Sequence, residues 1–298
     1  MKTLDPEALR TARQEARRRR ERRELRRALV KHACLIFASF GMLYPLLWMV
    51  ASSFKPESEI FSDLGLWPNQ IELGNYVEGW FALRESFTGF FTNSFLIAGL
   101  SVVGNLMACS LTAYAFARLE FRFKWFWFAL MLGTLMLPYH VTLVPQYVLF
   151  LSIGWVDTIL PLVVPKFLAV DAFFIFLMVQ FFRGLPRELD EAARMDGCGP
   201  WRIYWRIILP LSTPVLATAA IFSFIWTWDD FLGPLIYLNN ITNYTVPLAL
   251  RAFVDSTGLS AWGQLFAMST LSLVPVFVFF LFFQRLIIRG VAMSAMKR

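Results

Sequence analysis

The sequence predicts an all-α, polytopic membrane protein with six transmembrane helices and a charged cytoplasmic helix hairpin between the fourth and fifth. Three observations carry this reading. Hydrophobic residues make up 57% of the 298 and charged residues only 16%, where a soluble domain carries about 25% charged. The apolar residues collect in runs close to the roughly 20 residues that span a bilayer. The bases collect in alternate connections between those runs, the asymmetry that orients helices across a membrane.

Residues 1–32 form a basic arm. Twelve Lys and Arg fall within the first 31 positions, among them Arg17-Arg18-Arg19-Arg20. Asp5-Pro6-Glu7 suits a helix start, so the arm is expected to be partly helical and to lie on the cytoplasmic face. Attraction to anionic lipid, about 1 kcal/mol per base near the surface, is sufficient to explain it. The net charge of +7 thus reports orientation, not nucleic-acid binding.

Residues 33–298 read as one transmembrane domain. The first apolar run, 33–54, is long and lacks the small-residue cleavage pattern of a secretory signal, so it is expected to remain in the mature protein. The segment from Lys55 to Thr92 is poor in bases, holds Glu57, Glu59, Asp63, Glu72 and Glu78, and is expected outside. Its aromatic and acidic residues suit a contact with a soluble partner and a cap on the helix bundle equally well. Runs 94–117 and 126–151 make the second and third spans, joined by Arg118, Arg122 and Lys124. Pro138 and Pro145 each remove a backbone hydrogen bond from the third span and predict kinks there.

The fourth span, 159–182, places Lys166 and Asp171 in or near the hydrocarbon, where a central charge costs about 2.5–3.5 kcal/mol on insertion scales. Lys166 is expected to snorkel outward. Asp171 is deeper and becomes a candidate lining of a substrate path; five residues is the wrong offset for an ideal same-face pair with Lys166. The fifth span, 213–238, carries Trp226-Thr227-Trp228-Asp229-Asp230-Phe231 before Pro234. Adjacent aspartates on a helix point about 100° apart, so at most one faces a central pore. Carboxylates accept hydrogen bonds from hydroxyls and indoles stack on sugar faces, which makes Trp226, Trp228, Asp229 and Asp230 further pathway candidates. A helix end wetted by an outer vestibule, with tryptophans as interfacial anchors, accounts for the same residues. The loop 239–265 is again base-poor, and the sixth span, 266–288, leads to Arg285, Arg289, Lys297 and Arg298. This alternation puts both termini in the cytoplasm.

The hairpin at about 185–210 is charged, yet it lies between two spans. Leu185, Leu189, Ala192 and Ala193 make a helical stripe, and Trp201, Tyr204, Trp205 and Ile208 make a second, while Arg202 and Arg206 point elsewhere. Pro186 and Pro200 suit first helical turns, and Gly197 suits a helix end that needs positive φ. The spacing reads Glu191-Ala192-Ala193, three residues, Gly197, nine residues, then Ile207, Leu209 and Pro210. This resembles the EAA signature of bacterial ABC-importer permeases at all seven fixed positions. The resemblance covers residues 33 to 298 and points to the carbohydrate-uptake branch, near the smaller maltose-type membrane subunit. Trp67-Pro68, Asn75-Tyr76 and the Gln284-to-Met293 tail are similar to segments of sugar permeases, as is the Trp226–Phe231 run, although asparagine is common where Asp229 stands. The external loop 239–265 by the same likeness reaches toward a docked binding protein.

What the resemblance implies is a permease subunit of a sugar importer in the bacterial inner membrane. It implies a second, different permease, two ATPase subunits and an extracytoplasmic solute-binding protein as partners. Glu191, Ala192, Ala193, Asp196 and Gly197 become the ATPase-coupling residues. The chain contains no Gly-rich phosphate loop ending in Gly-Lys-Ser/Thr; it is expected to bind no cofactor, with ATP and Mg used by the partner ATPase. Isolated Cys34, Cys109 and Cys198 and lone His32 and His140 offer no disulfide framework or metal set, and no nucleophile–base set indicates an enzyme. An ion-coupled secondary transporter using Asp171, Asp229 or Asp230 leaves the hairpin spacing unexplained. A permease for another polar solute, such as a glycerol phosphoester, stays open.

Overall fold

The computed structural model describes residues 6–257 and 261–295, with side chains described for 23–254 and 261–284. Met1–Asp5 of the basic arm, the closing Lys297 and Arg298, and the side chains of Arg285 and Arg289 lie outside the described residues. The chain divides into two compact units, 1–72 and 73–298.

In the first unit, α1 (Pro6–Ser52) runs through the basic arm and the first apolar run as one helix, with Pro45 inside it. Its stretch from Arg23 to Ser52 is apolar enough to span a membrane and its most apolar 18 residues hold no buried side chain; Phe37 and Met42 lie 82% and 84% exposed. Such a surface belongs against lipid or another chain. The turn beyond it is built around Lys55, fully buried, whose Nζ donates to the carbonyls of Asp63 at 2.6 Å and Gly65 at 2.7 Å. The short α2 (Glu57–Ile60) sits in this turn, and Glu59 accepts from both Asn69 nitrogens.

In the second unit, α3 (Gly74–Phe81) precedes α4 (Phe87–Arg118), a 32-residue helix. At 1.5 Å per residue it is about 48 Å long, enough to cross the hydrocarbon and project beyond it. Next come α5 (Lys124–Thr134) and α6 (Tyr139–Ser152), bent 98° at the break between them. The fourth run opens with α7 (Leu160–Val163) and a 3-10 turn (Val164–Leu168), then continues as α8 (Ala172–Gly184). The hairpin consists of α9 (Glu188–Met195) and α10 (Pro200–Ile203), a π turn (Tyr204–Ile208) and α11 (Leu209–Leu211). After it stand α12 (Thr213–Trp228) and α13 (Leu232–Tyr237), then a 3-10 turn at Ile241–Asn243. The described chain closes with α14 (Val246–Thr257) and α15 (Trp262–Ala295). Among the described residues four helices are long and apolar enough to cross a membrane, and six spans result if each of two bent pairs counts as one.

Two expectations about the spans need correction. Pro138 does more than kink the third span: three tight turns close α5 over Leu135–Leu137 and the chain restarts at a sharp angle. Pro145 by contrast lies inside α6, which stays one helix around it. The fifth span is likewise interrupted, because α12 ends at Trp228 and α13 begins three residues beyond Asp229.

The second unit packs around α4, with α8 and α12 against it. Lipid-facing helices gain little from hydrophobicity, so close contact depends on small residues that let backbones approach. Ala98, Ser101, Gly104, Cys109 and Ala113 do this along α4, and all five are buried. A Cβ at Gly104 would stand 2.7 Å from the Phe167 ring. Two apolar clusters form at opposite ends of α4, one around Tyr114, Phe182, Tyr204 and Ile208, the other around Phe87, Trp228, Phe253 and Met268. The α3 helix packs on α15, with Gln264 donating to Glu78. This part of the expected external segment therefore caps the bundle.

Candidate functional site

The hairpin turns on Gly197 at φ +76°. Its N–H donates to Arg194 and that of Cys198 to Ala193, the paired bonds that close a helix when a left-handed residue follows it. Glu191, Ala192, Asp196 and Gly197 are exposed. Ala193 is 5% exposed and packs into the chain's own core with Ile203 and Tyr204. The two expected stripes are thus divided. Tyr204 and Ile208 face inward, while Leu189, Met195, Trp201 and Trp205 are exposed apolar residues of the hairpin.

Three side chains one turn apart on α4 hold the hairpin. Ser110 Oγ and Tyr204 Oη stand 2.7 Å apart, and Tyr114 Oη donates to the Pro200 carbonyl at 2.9 Å. Arg118 Nη1 meets Asp190 Oδ2 at 3.0 Å with side chains 3% and 9% exposed, and Nη2 donates to the Leu185 carbonyl. A buried pair of this kind is not strongly stabilising in itself, but losing one partner leaves the other charge stranded, at a cost of about 3–5 kcal/mol. These contacts tie the hairpin to α4.

The second candidate site is a cavity of about 650 Å³ bounded by the three interrupted spans. Asp171, Trp226 and Asp230 line it, together with Lys166. Lys166 Nζ lies 2.9 Å from Asp171 Oδ2, so Lys166 pairs rather than snorkels. Their five-residue offset works because the helix is broken between them, with Ala169 at φ 55°. Asp230 accepts from the N–H of Gly233, where any Cβ would collide with the carboxylate. Trp226 packs on Phe173 and Phe174.

The cavity does not include Trp228 or Asp229. Trp228 is 2% exposed, stacks on Phe224 and donates Nε1–H to the Ser272 carbonyl, so it belongs to the core. Asp229 is exposed at the end of α12. Sequence reading missed Tyr139, Thr142, Gln146, Trp155 and Tyr237, which with Thr134, Phe150 and Phe173 supply the remaining polar and aromatic lining. Tyr139, Thr142 and Gln146 recur along α6 at offsets of three and four, a polar stripe in an apolar run that was legible in principle.

A carboxylate from the turn after α6 organises one flank. Asp157, at φ 64°, accepts from the N–H groups of Asn239 and Asn240 at 2.9 Å each and from Asn243 Nδ2 at 3.2 Å. The Asn240 amide above all, with the other two donors, holds this carboxyl below the usual carboxylate range.

Residues 101–293 match a family described as binding-protein-dependent transport system inner membrane component. The chain is 35% identical to the probable ABC transporter permease protein YurM of Bacillus subtilis, across 86% of this chain and 84% of that protein. It is 33% identical to the arabinooligosaccharides transport system permease protein AraQ of Halalkalibacterium halodurans, across 88% and 93% of the two. Its fold matches, with TM-score 0.75 and 20% identity, a chain of the crystal structure of a bacterial ABC transporter involved in import of the acidic polysaccharide alginate, covering 87% and 95% of the two chains.

Proposed function

The chain belongs to the family of binding-protein-dependent transport system inner membrane components, and on that premise we propose that it forms half of the transmembrane pathway of an importer for a neutral sugar. It is a transport component, a membrane permease that works with other importer subunits, and not an enzyme. The observation that carries the cargo class is the cavity at the span breaks. Its lining pairs tyrosine, tryptophan, threonine and glutamine with one lysine and two aspartates. Aromatic faces and hydroxyl-accepting carboxylates suit a polyol. Because Lys166 is bonded to Asp171, Asp230 brings the excess negative charge, which disfavours a phosphoester or other anion near it. The relative named for arabinooligosaccharides agrees in class.

In this reading a second, different permease completes the pathway, two ATPase copies bind the exposed hairpin faces, and ATP with Mg is consumed on those partners. Glu191, Ala192, Asp196 and Gly197 present the docking edge, and Ala193 anchors it from within. Closure of the ATPase dimer draws the hairpins together. The contacts of Ser110, Tyr114 and Arg118 pass that displacement to α4, which packs against the 3-10 turn carrying Lys166. An inner-membrane position with cytoplasmic termini and hairpin follows from the distribution of bases.

The test compares Asp230→Asn with Asp229→Asn in the assembled importer. Asp230→Asn is expected to reduce sugar uptake about ten-fold or more, the loss of one charge-assisted hydrogen bond, while basal ATPase activity persists. Asp229→Asn is expected to transport at nearly the unmodified rate. Equal uptake in both variants would remove Asp230 from the pathway.

A further inference from the structure

We propose that a basic pocket at the hairpin end of the bundle binds the phosphate of an anionic lipid headgroup. The pocket is about 330 Å³ and is lined by Arg118, Lys124, Arg183 and Arg187, with Glu120 the one acid and Trp125 an aromatic wall. It lies where the end of α4, the start of α5 and the end of α8 meet. Apart from Arg118, its lining residues take no part in the coupling or pathway assignments.

The four cations differ in what they have left to give. Lys124 is committed to Glu120 Oε1 and the Leu119 carbonyl. Arg118 spends two N–H groups on Asp190 and Leu185, yet its buried Nε has no hydrogen-bond partner among the described residues. Arg183 lies over the rings of Trp125 and Phe128, at 5.3 and 5.1 Å. That contact positions the guanidinium, and no hydrogen bond or ion pair occupies its N–H groups among the described residues. Arg187 is exposed, and no side-chain hydrogen bond or ion pair holds it among the described residues. Two guanidinium forks, with the charge of buried Arg118 behind them, suit an acceptor-rich ligand, since phosphate takes paired N–H donors in the fork geometry.

The neighbouring side chains select a lipid as the source of the phosphate. Phe123, Trp125, Phe126 and Trp127 are 61%, 68%, 60% and 51% exposed, at the very start of an apolar helix. Exposed Trp and Phe at such a boundary lie at headgroup level, so the pocket opens where lipid phosphates are concentrated. Basic pockets between transmembrane helices on the cytoplasmic side are suited to such headgroups. Arg118 belongs both to this pocket and to the ion pair that holds the hairpin, which puts the lipid beside the coupling element. The inference rests on the chain spanning a membrane, not on the identity of its cargo.

The experiment uses the importer complex purified in mild detergent and exposed to phosphatidylglycerol and phosphatidylcholine, with retained lipid measured by native mass spectrometry. Arg183→Gln and Arg187→Gln, alone and together, are compared with Arg202→Gln/Arg206→Gln, a charge-matched change on the exposed hairpin. Phosphatidylglycerol retention is expected to fall about five-fold per arginine removed from the pocket and to be unchanged in the hairpin control. Soluble glycerol phosphate is expected not to displace the lipid. Equal loss in the control would reduce the effect to general surface charge. Displacement by glycerol phosphate would assign the site to a free solute. Equal retention of the two lipids would remove it altogether.

Discussion

Asp157 occupies a left-handed backbone conformation and uses one carboxylate oxygen to gather three nitrogens from residues 239–243. Its folded-state pKa lies below the ordinary value. The stabilisation it supplies is therefore complete above the usual carboxylate range and is lost as pH falls through the lowered value. Hydrogen exchange at Asn239 and Asn240, corrected for intrinsic rates, is expected to accelerate on acidification below that range. Asp157→Asn keeps an acceptor and tolerates positive φ, so it should remove the extra pH dependence with little other change, whereas Asp157→Ala should accelerate exchange at every pH. The same pH dependence in Asp157→Asn would show that another group holds the loop. At this scale the sequence was only partly readable. The Asp230 and Asp171 candidates were found because a charge inside a membrane helix is conspicuous. The bonds of Asp157 with 239–243 and of Arg118 with Asp190 join positions some 80 and 70 residues apart, and no local pattern carries such a pairing. Ser110, Tyr114 and Arg118 do leave a trace, as polar residues recurring every fourth position on an apolar helix.

Elements were legible where their signals were local. Gly197 and the two prolines marked the hairpin, and φ +76° at Gly197 bears out the expected positive value. A Cβ there would meet nothing within 4 Å, so any penalty arises from backbone conformation alone. Gly197→Ala is expected to cost about 1–2 kcal/mol of hairpin stability, Gly197→Asn less, and Gly197→Asp to add a carboxylate beside Asp196 on the exposed face. Uptake should fall in the order Asn, Ala, Asp, with ATPase co-purification lost only for Asp. Glu191→Lys should also lose the ATPase, while its exposed position keeps the protein in the membrane. Retention of the ATPase in both Gly197→Asp and Glu191→Lys would mean that docking lies elsewhere. The span interruptions were less legible, because hydropathy averages over about 19 residues and is insensitive to a three-residue break. Pro138 announced one break. Ala169 gave no sign of adopting the left-handed region that brings Lys166 to Asp171, since alanine is among the residues least expected there.

Across the whole molecule, charge assigns an orientation that the fold makes testable. The connections 55–92 and 239–265 hold three bases, Lys55, Arg84 and Arg251, whereas 118–124 and 183–206 hold eight. Only Lys and Arg count strongly in setting topology, so the proposed orientation puts the second group in the cytoplasm and the first outside. The contacts of the second unit agree in grouping, because Arg118 of one basic connection is bonded to Asp190 and Leu185 of the other. Single cysteines at Ser62 and Thr242, both exposed, test the outer assignment in a chain lacking Cys34, Cys109 and Cys198. Thr242 is preferred to Asn243, whose amide is occupied by Asp157. Both should react with a membrane-impermeant thiol reagent on intact cells. A cysteine replacing Met195, 88% exposed on the hairpin, should react only after lysis and should be shielded when the ATPase is bound. Labelling of Met195→Cys from outside would invert the chain in the membrane. The base count would then have failed as a guide, and the hairpin would face away from any cytoplasmic ATPase.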